Sequence, residues 1–131
     1  MHLRDWRLFL EQGSGKEIAV ATAPAEVVSH LQAPSAKVWI HHDYVLKALR
    51  EHDLPLEAFC HLFDVVDRGV SVADKERHVT FFYESPLGWL HLTIKKALAS
   101  ERLYVCTLYK SNAREVARRV RKFSALEKGA T

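Results

Sequence analysis

Residues 88–111 read GWLHLTIKKALASERLYVCTLYKS and predict a pair of β-strands joined by a short turn. Apolar and polar residues alternate along both halves of this stretch, which is typical of strands in a sheet with two different faces. Residues 99–101, Ala-Ser-Glu, form the expected turn between the two strands. Paired residue numbers then sum to about 200, so odd-numbered residues lie opposite odd-numbered ones.

This register gives the strand pair one apolar face and one polar face. The apolar face collects Leu90, Leu92, Ile94, Cys106 and Leu108. The polar face collects His91, Thr93, Lys95, Thr107 and Tyr109. A slip of one residue would move every side chain to the opposite face. We therefore expect a core on one side of the sheet and a row of reactive side chains on the other.

Patterns along the rest of the chain predict an α+β domain with its helices on one sheet face. The expected order is N-terminal helices, then an antiparallel sheet of about four strands, then a C-terminal basic helix. Helices are predicted near 3–10, 24–31, 43–52 and 56–67 and from 113 to about 126, and further strands near 37–40, 70–73 and 79–84. Residues 17–21 fit either a strand or the approach to a helix. We expect a domain over 37–126, a helical or irregular segment over 1–36 packed on it, and a tail over 127–131.

Length and charge point to a single domain with a basic end. The chain has 131 residues, of which 48% are hydrophobic and 27% charged, as in an ordinary globular protein. Its net charge is 19 − 16 = +3. From residue 113 onward six Arg and Lys residues stand against two Glu residues, a net of +4, so the rest of the chain is near −1. This asymmetry predicts a phosphate-rich partner, and a solvated helix face is the alternative.

Several classes of protein are not indicated by the sequence. No apolar run approaches the roughly 20 residues that span a bilayer, so we expect no membrane partner. The N-terminus, MHLRDWRLFLEQ, is a poor signal peptide because charges interrupt it throughout, which predicts a cytoplasmic protein. Cys60 and Cys106 are expected to be buried free thiols. Zinc-type Cys/His spacings and glycine-rich phosphate loops are not present in the sequence, so we expect no metal and no cofactor.

The polar face offers imidazole, ammonium, hydroxyl and phenol groups, from His91, Lys95, Thr107 and Tyr109. Cleavage of RNA requires groups of only these kinds. The 2′-OH attacks the adjacent phosphate, so the nucleophile is already in place. A base removes its proton, an acid protonates the leaving 5′-oxygen, and cationic or hydroxyl donors stabilise the developing charge. A solvated strand face without a function is the alternative interpretation.

Two short motifs carry a resemblance to a known family. Lys47-Ala-Leu-Arg-Glu-His52 is a Lys-x4-His pattern in a predicted helix, and the segment after it ends in Gly69 before a strand. Lys95 ends one strand, and Thr107-Leu108-Tyr109 lies on the next. With these motifs, residues 38 to about 122 resemble the phage-associated barnase–EndoU–colicin–RelE-like nucleases, whose domains open with a helical segment and continue into a four-stranded antiparallel sheet.

The resemblance implies a metal-independent endoribonuclease, toxin-like or phage-associated. RNA, with tRNA as one candidate, would be the substrate, and an inhibitor or immunity protein would be a candidate partner. His52 is the leading general acid/base, and Lys95 and Lys47 would stabilise phosphate charge. Thr107, Tyr109 and His91 would position the scissile group. Lys47 and His52 can face one site only if their helix ends before His52, because five residues turn an α-helix by about 140°.

The same residues allow other interpretations. His52 shares a helical stripe with Val45 and Leu49 and could be a histidine at the core edge, while both lysines could be ordinary surface. The rival function is a non-catalytic module on the same fold that binds RNA or an acidic protein through its terminal helix, with Arg114, Arg118 and Arg121 as the contacts. A purely structural accessory domain is the third interpretation.

Overall fold

The computed structural model describes residues 1–75 and 77–122, and within them it shows an α+β domain. The helices are α1 (Leu3–Gln12), α2 (Ala25–Leu31), α3 (His42–Glu51), α4 (Leu62–Arg68) and α5 (Ala113–Lys122), with a 3-10 helix at Leu56–His61 before α4. The strands are β1 (Glu17–Thr22), β2 (Lys37–His41), β3 (Val70–Lys75), β4 (His78–Ser85), β5 (Gly88–Lys96) and β6 (Leu103–Lys110). The predicted α+β class is confirmed.

The sheet is larger than predicted and is mixed. Its six strands lie in the order β1-β2-β6-β5-β4-β3. All neighbours are antiparallel except β2 and β6, which run parallel through the pairs Val38–Leu103 and Trp39–Tyr104. The expectation of about four antiparallel strands is therefore matched only roughly: β3 to β6 are antiparallel neighbours, and β1 and β2 add two strands and one parallel pairing. Residues 17–21 belong to a strand, β1, which pairs with β2 at one edge.

The main core lies between one face of the sheet, which we name the core face, and the helices α1 to α4. Fully buried side chains on the helices include Trp6, Val27, Val45, Phe59 and Leu62, and those on the strands include Ile40, Phe81, Leu92, Ile94 and Leu108. Burial of one such large apolar side chain stabilises the fold by roughly 1.5–3 kcal/mol. The core face therefore provides most of the apolar packing that holds the domain together.

Helix α5 packs on the opposite side of the sheet, which we name the second face. Val116 of α5 forms a small apolar cluster with Val72 and Phe82, and Trp89 and Val120 pack against it. The prediction that all helices lie on one sheet face is therefore wrong, because the second face carries an apolar patch of its own for α5 to cover. The expected extension of this helix to about residue 126, with Phe123 facing the body, and the tail 127–131 lie outside the described residues.

The predicted register of β5 and β6 holds over the half that carries the polar row. His91 pairs with Tyr109 and Thr93 with Thr107, each pair summing to 200, and then Ile94 pairs with Val105. A β-bulge at this point leaves one extra residue on β6. Cys106, predicted on the apolar face, is that extra residue and is only partly buried, while Val105 and Leu103 are buried in the core.

No helix in the described ranges has the length and apolar composition needed to cross a membrane.

Candidate active site on the second sheet face

Side chains from β4, β5, β6 and the end of α3 meet on the second face. We name this group the polar cluster: His52, Thr80, His91, Thr93 and Tyr109. The strand register places His91 opposite Tyr109 and also opposite Phe82 on β4. Residues opposite each other on one sheet face have side chains close enough to interact. Three strands and one helix terminus therefore contribute to a single patch.

Aromatic stacking organises one side of the cluster. The rings of His91 and Tyr109 stack with 4.3 Å between centroids and 21° between planes. The His52 ring lies 5.6 Å from the Tyr109 ring, tilted by 39°. Phe82 meets His91 edge-on at 5.1 Å. Tyr109 therefore contacts two imidazoles, one from β5 and one from the end of α3.

Hydroxyl groups organise the other side of the cluster. Nε2 of His91 lies 3.1 Å from Oγ1 of Thr93, which lies 2.8 Å from Oγ1 of Thr80. His91 is only 4% exposed, and both threonines are buried. A buried polar group needs hydrogen-bond partners, and this chain of contacts provides them. The His91 ring is therefore held in one orientation under the surface, where it can orient Tyr109 but is poorly placed to contact RNA directly.

The end of α3 brings His52 to the cluster. The helix ends at Glu51, and His52 is its C-cap, with φ −108° and ψ 6°. Asp53 follows with φ 48°, in the left-handed region, and turns the chain away. The condition for Lys47 and His52 to face one site is therefore met. His52 is exposed and does not belong to the core edge.

Tyr44 anchors α3 against β6. The Leu108 amide donates a hydrogen bond of 2.6 Å to the Tyr44 hydroxyl oxygen. Burial is the main cause that raises the pKa of Tyr44 to about 12. At the start of α3, Nδ1 of His41 accepts the Asp43 amide hydrogen at 3.1 Å, so His41 is the N-cap of the helix.

The remaining predicted residues lie around the cluster. Thr107 is half-buried opposite Thr93. Lys95 is exposed on the same face, four residues along β5 from His91, a distance of about 13 Å at the usual rise of a strand. Lys47 is exposed on α3, three residues after Tyr44 and so on an adjoining side of the helix. The structure thus brings the rings of His52, His91 and Tyr109 together, while Lys95 lies farther along β5 and Lys47 is an exposed residue of α3.

Helix α5 begins beside the cluster. Oδ1 of Asn112 accepts the Glu115 amide hydrogen at 2.9 Å, which caps the helix. Arg118 donates two hydrogen bonds to Glu115, of 2.6 and 3.1 Å. These bonds are the main cause of the lowered pKa of Glu115, to which the charges of Arg118, Arg119 and His91 also contribute. The three predicted RNA contacts, Arg114, Arg118 and Arg121, are all exposed.

The second face carries polar contacts that the sequence patterns did not reveal. The Arg102 guanidinium lies 4.3 Å from the centre of the Trp39 ring and forms an ion pair with Glu17. The Tyr104 hydroxyl contacts both carboxylate oxygens of Glu17 at 3.0 Å. This group depends on the parallel pairing of β2 and β6, for which no local sequence signal exists.

Within the ranges that the structure describes, no group of three or more His, Cys, Asp or Glu side chains could hold a metal ion. In comparisons with known proteins, no protein-family model, curated protein or solved structure matches this chain. The resemblance to phage-associated nucleases therefore stays a hypothesis.

Proposed function

We propose that the protein is a metal-independent endoribonuclease, toxin-like or phage-associated, that cleaves RNA by attack of the 2′-OH on the adjacent phosphate. The observation that carries this proposal is the exposed His52 ring beside Tyr109, which is in turn stacked on a buried, hydrogen-bonded His91. An exposed imidazole next to an ordered polar surface is the arrangement that general acid/base catalysis needs.

The proposed mechanism assigns one role to each group. His52 takes the proton of the 2′-OH as the bond from O2′ to phosphorus forms. The bond from phosphorus to O5′ breaks, and the leaving oxygen takes a proton from a hydroxyl donor, for which Tyr109 is the candidate. Removal of the acid/base is expected to slow cleavage roughly 10²–10⁴-fold, or by about 3–5 kcal/mol.

The other residues bind and orient the substrate in this proposal. Lys95 and Lys47, both exposed, bind flanking phosphates and stabilise negative charge. Thr107 and Tyr109 position the scissile group, and His91 acts through Tyr109. The substrate is RNA, with tRNA as the first candidate to test. A cytoplasmic location and an inhibitor or immunity protein that covers the second face belong to the same proposal.

A cleavage assay tests this function. Total tRNA and an end-labelled RNA oligonucleotide are incubated with the protein in excess EDTA. We expect cleavage with 2′,3′-cyclic phosphate ends, because the 2′-OH is the nucleophile. Loss of cleavage in EDTA that magnesium or zinc restores would contradict the metal-independent mechanism.

A second candidate function is a non-catalytic RNA-binding module, favoured by the burial of His91 and by the position of Lys95 about 13 Å along the strand. Such a module would bind phosphates through Arg114, Arg118 and Arg121 of α5. Replacing all three with Gln should reduce the magnitude of the slope of log K against log salt by roughly 2–3. Val116 and Val120 hold α5 to the sheet, so the fold should remain.

Cleavage and binding assays on one protein sample distinguish the two candidate functions. RNA that is bound but never cut, with binding lost in the triple-arginine variant, would support the module. An unchanged salt slope in a folded triple variant would assign these arginines to an ordinary solvated surface.

A further inference from the structure

A small polar cleft lies at the end of the sheet where β4 begins and β5 ends. Its volume is about 190 Å³, and it is lined by His30, Leu31, Gln32, Arg77 and Lys96. Arg77 immediately precedes β4, and Lys96 is the last residue of β5. The Lys96 amide donates a hydrogen bond of 3.0 Å to the Arg77 carbonyl, which keeps the two residues together.

The described residues that line this cleft carry positive charge. They include two permanent cations and one histidine, and among the described lining residues none is Asp or Glu. Like charges held close together repel each other, and this repulsion is strongest where water is partly excluded. An anion placed between Arg77 and Lys96 would remove the repulsion.

The hydrogen bonding of the two cations also favours a bound anion. Nζ of Lys96 donates one hydrogen bond, of 3.4 Å, to the Gln32 carbonyl oxygen. An ammonium group has three N–H donors, so others can bind a ligand. Nη1 of Arg77 is buried and has no hydrogen-bond partner among the described residues. A buried donor without a partner costs free energy, and this cost is larger for a charged group. An oxyanion in the cleft would compensate the charge of this guanidinium.

We propose that this cleft binds a phosphate-type oxyanion, with the Arg77 guanidinium as the directional contact and the Lys96 ammonium as a point charge. A guanidinium presents donors in a planar fork that matches phosphate oxygens, and an ammonium adds charge without a fixed direction. The anion is either a free phosphate or phosphomonoester, or a phosphodiester of an RNA strand, since the same groups bind both.

The cleft is separate from the polar cluster. Lys96 lies five residues along β5 from His91, a distance of about 17 Å, and the two side chains have opposite parity on the strand. The proposal therefore does not rest on the ribonuclease function, and either one can fail without the other.

Titration calorimetry with inorganic phosphate at constant ionic strength tests the site. The wild type should bind phosphate, and Arg77→Gln and Lys96→Gln should each weaken binding about tenfold or more. Arg68→Gln is the matched control, because Arg68 is an exposed cation at the end of α4, away from the cleft. Absence of phosphate binding, or equal affinity in the wild type and Arg77→Gln, would overturn the proposal.

Thermal unfolding without phosphate checks that the variants fold. Arg77→Gln should be as stable as the wild type, because the Arg77 side chain leaves a buried donor unsatisfied. If this variant does not fold, Lys96→Gln decides, since Lys96 forms only an exposed contact to Gln32. Equal affinity in Lys96→Gln and the wild type would then overturn the site.

A competition arm identifies the source of the anion. A 2′-O-methyl oligonucleotide with a 5′-hydroxyl end offers only phosphodiesters. If it displaces phosphate from the wild type but not from Arg77→Gln, the site binds a nucleic-acid backbone. If only the 5′-phosphorylated form competes, the site binds monoesters. Both results support an oxyanion site.

Discussion

The two faces of β5 are both buried over most of the strand but by different chemistry. On the core face, Leu90, Leu92 and Ile94 are 0% exposed and pack against the helices. On the second face, His91 and Thr93 are 4% and 5% exposed and are held by ring stacking and hydrogen bonds. One strand thus carries a face specialised for packing and a face specialised for directional polar contacts.

This difference predicts which substitutions lower stability and which lower activity. Apolar packing depends on volume, so a deletion on the core face should lower stability and leave the chemistry of surviving folded molecules intact. Exposed polar groups on the second face contribute little to packing, so their removal should lower activity and leave stability nearly unchanged.

Leu92→Ala should have the largest effect on stability. It opens a cavity in the core face and should lower the free energy of unfolding by roughly 2–5 kcal/mol. Chemical denaturation monitored by tryptophan fluorescence measures this loss. Cleavage per folded molecule at low temperature should match the wild type, and a stable variant with impaired cleavage would reverse the assignment of the two faces.

Lys95→Ala and Thr107→Ala should lower activity and leave stability nearly unchanged. Each removes a group on the second face that contacts the phosphate or the scissile group in the proposed mechanism. Each should lower the cleavage rate by one to three orders of magnitude, about 1.4–4 kcal/mol in transition-state free energy. Affinity for uncleavable RNA and thermal stability should change little. Unchanged cleavage in both variants would place the reaction elsewhere.

Thr93→Val should show that the buried part of the second face is structural. It removes the hydroxyl that contacts both His91 and Thr80, leaving buried polar atoms without that partner. The expected loss is about 1–3 kcal/mol of unfolding free energy. The double variant with Thr80→Val should lose less than the sum of the two single variants, because both partners are then apolar. Strict additivity would show that the two hydroxyls are not coupled.

Local patterns predict the faces of the β5–β6 pair but not the whole sheet. Alternation along β5 predicts which of its residues share a face. The register near His91 and Tyr109 depends on the bulge as well as on the turn, because pairs beside the turn, such as Lys96–Leu103, sum to 199 and pairs beyond the bulge sum to 200. The bulge at Cys106 depends on backbone geometry that alternation does not encode. The parallel pairing of Val38 with Leu103 joins residues far apart in sequence, and β2 has only five residues, too few for a distinctive pattern.

In the candidate site, too, some contacts can be predicted from the sequence and others depend on tertiary packing. The contact between His91 and Tyr109 follows from the register alone. The approach of His52 depends on where α3 ends and on the hydrogen bond between Tyr44 and the Leu108 amide, which is a tertiary contact. The Thr80–Thr93 contact depends on the register of β4 against β5, where Ser85 pairs with Gly88 across the turn. The approach of His52 and the Thr80–Thr93 contact therefore depend on contacts between residues far apart in sequence, which local patterns do not predict.

The cleavage rate of His52→Gln in excess EDTA tests whether His52 is the general acid/base. Glutamine keeps a polar side chain at the end of α3 but cannot transfer a proton at neutral pH. His2→Gln is the matched control, because His2 is an exposed histidine just before α1. We predict that His2→Gln cleaves RNA like the wild type, while His52→Gln folds, binds uncleavable RNA normally and cleaves roughly 10²–10⁴-fold more slowly. Equal cleavage by His52→Gln and the wild type would contradict the account.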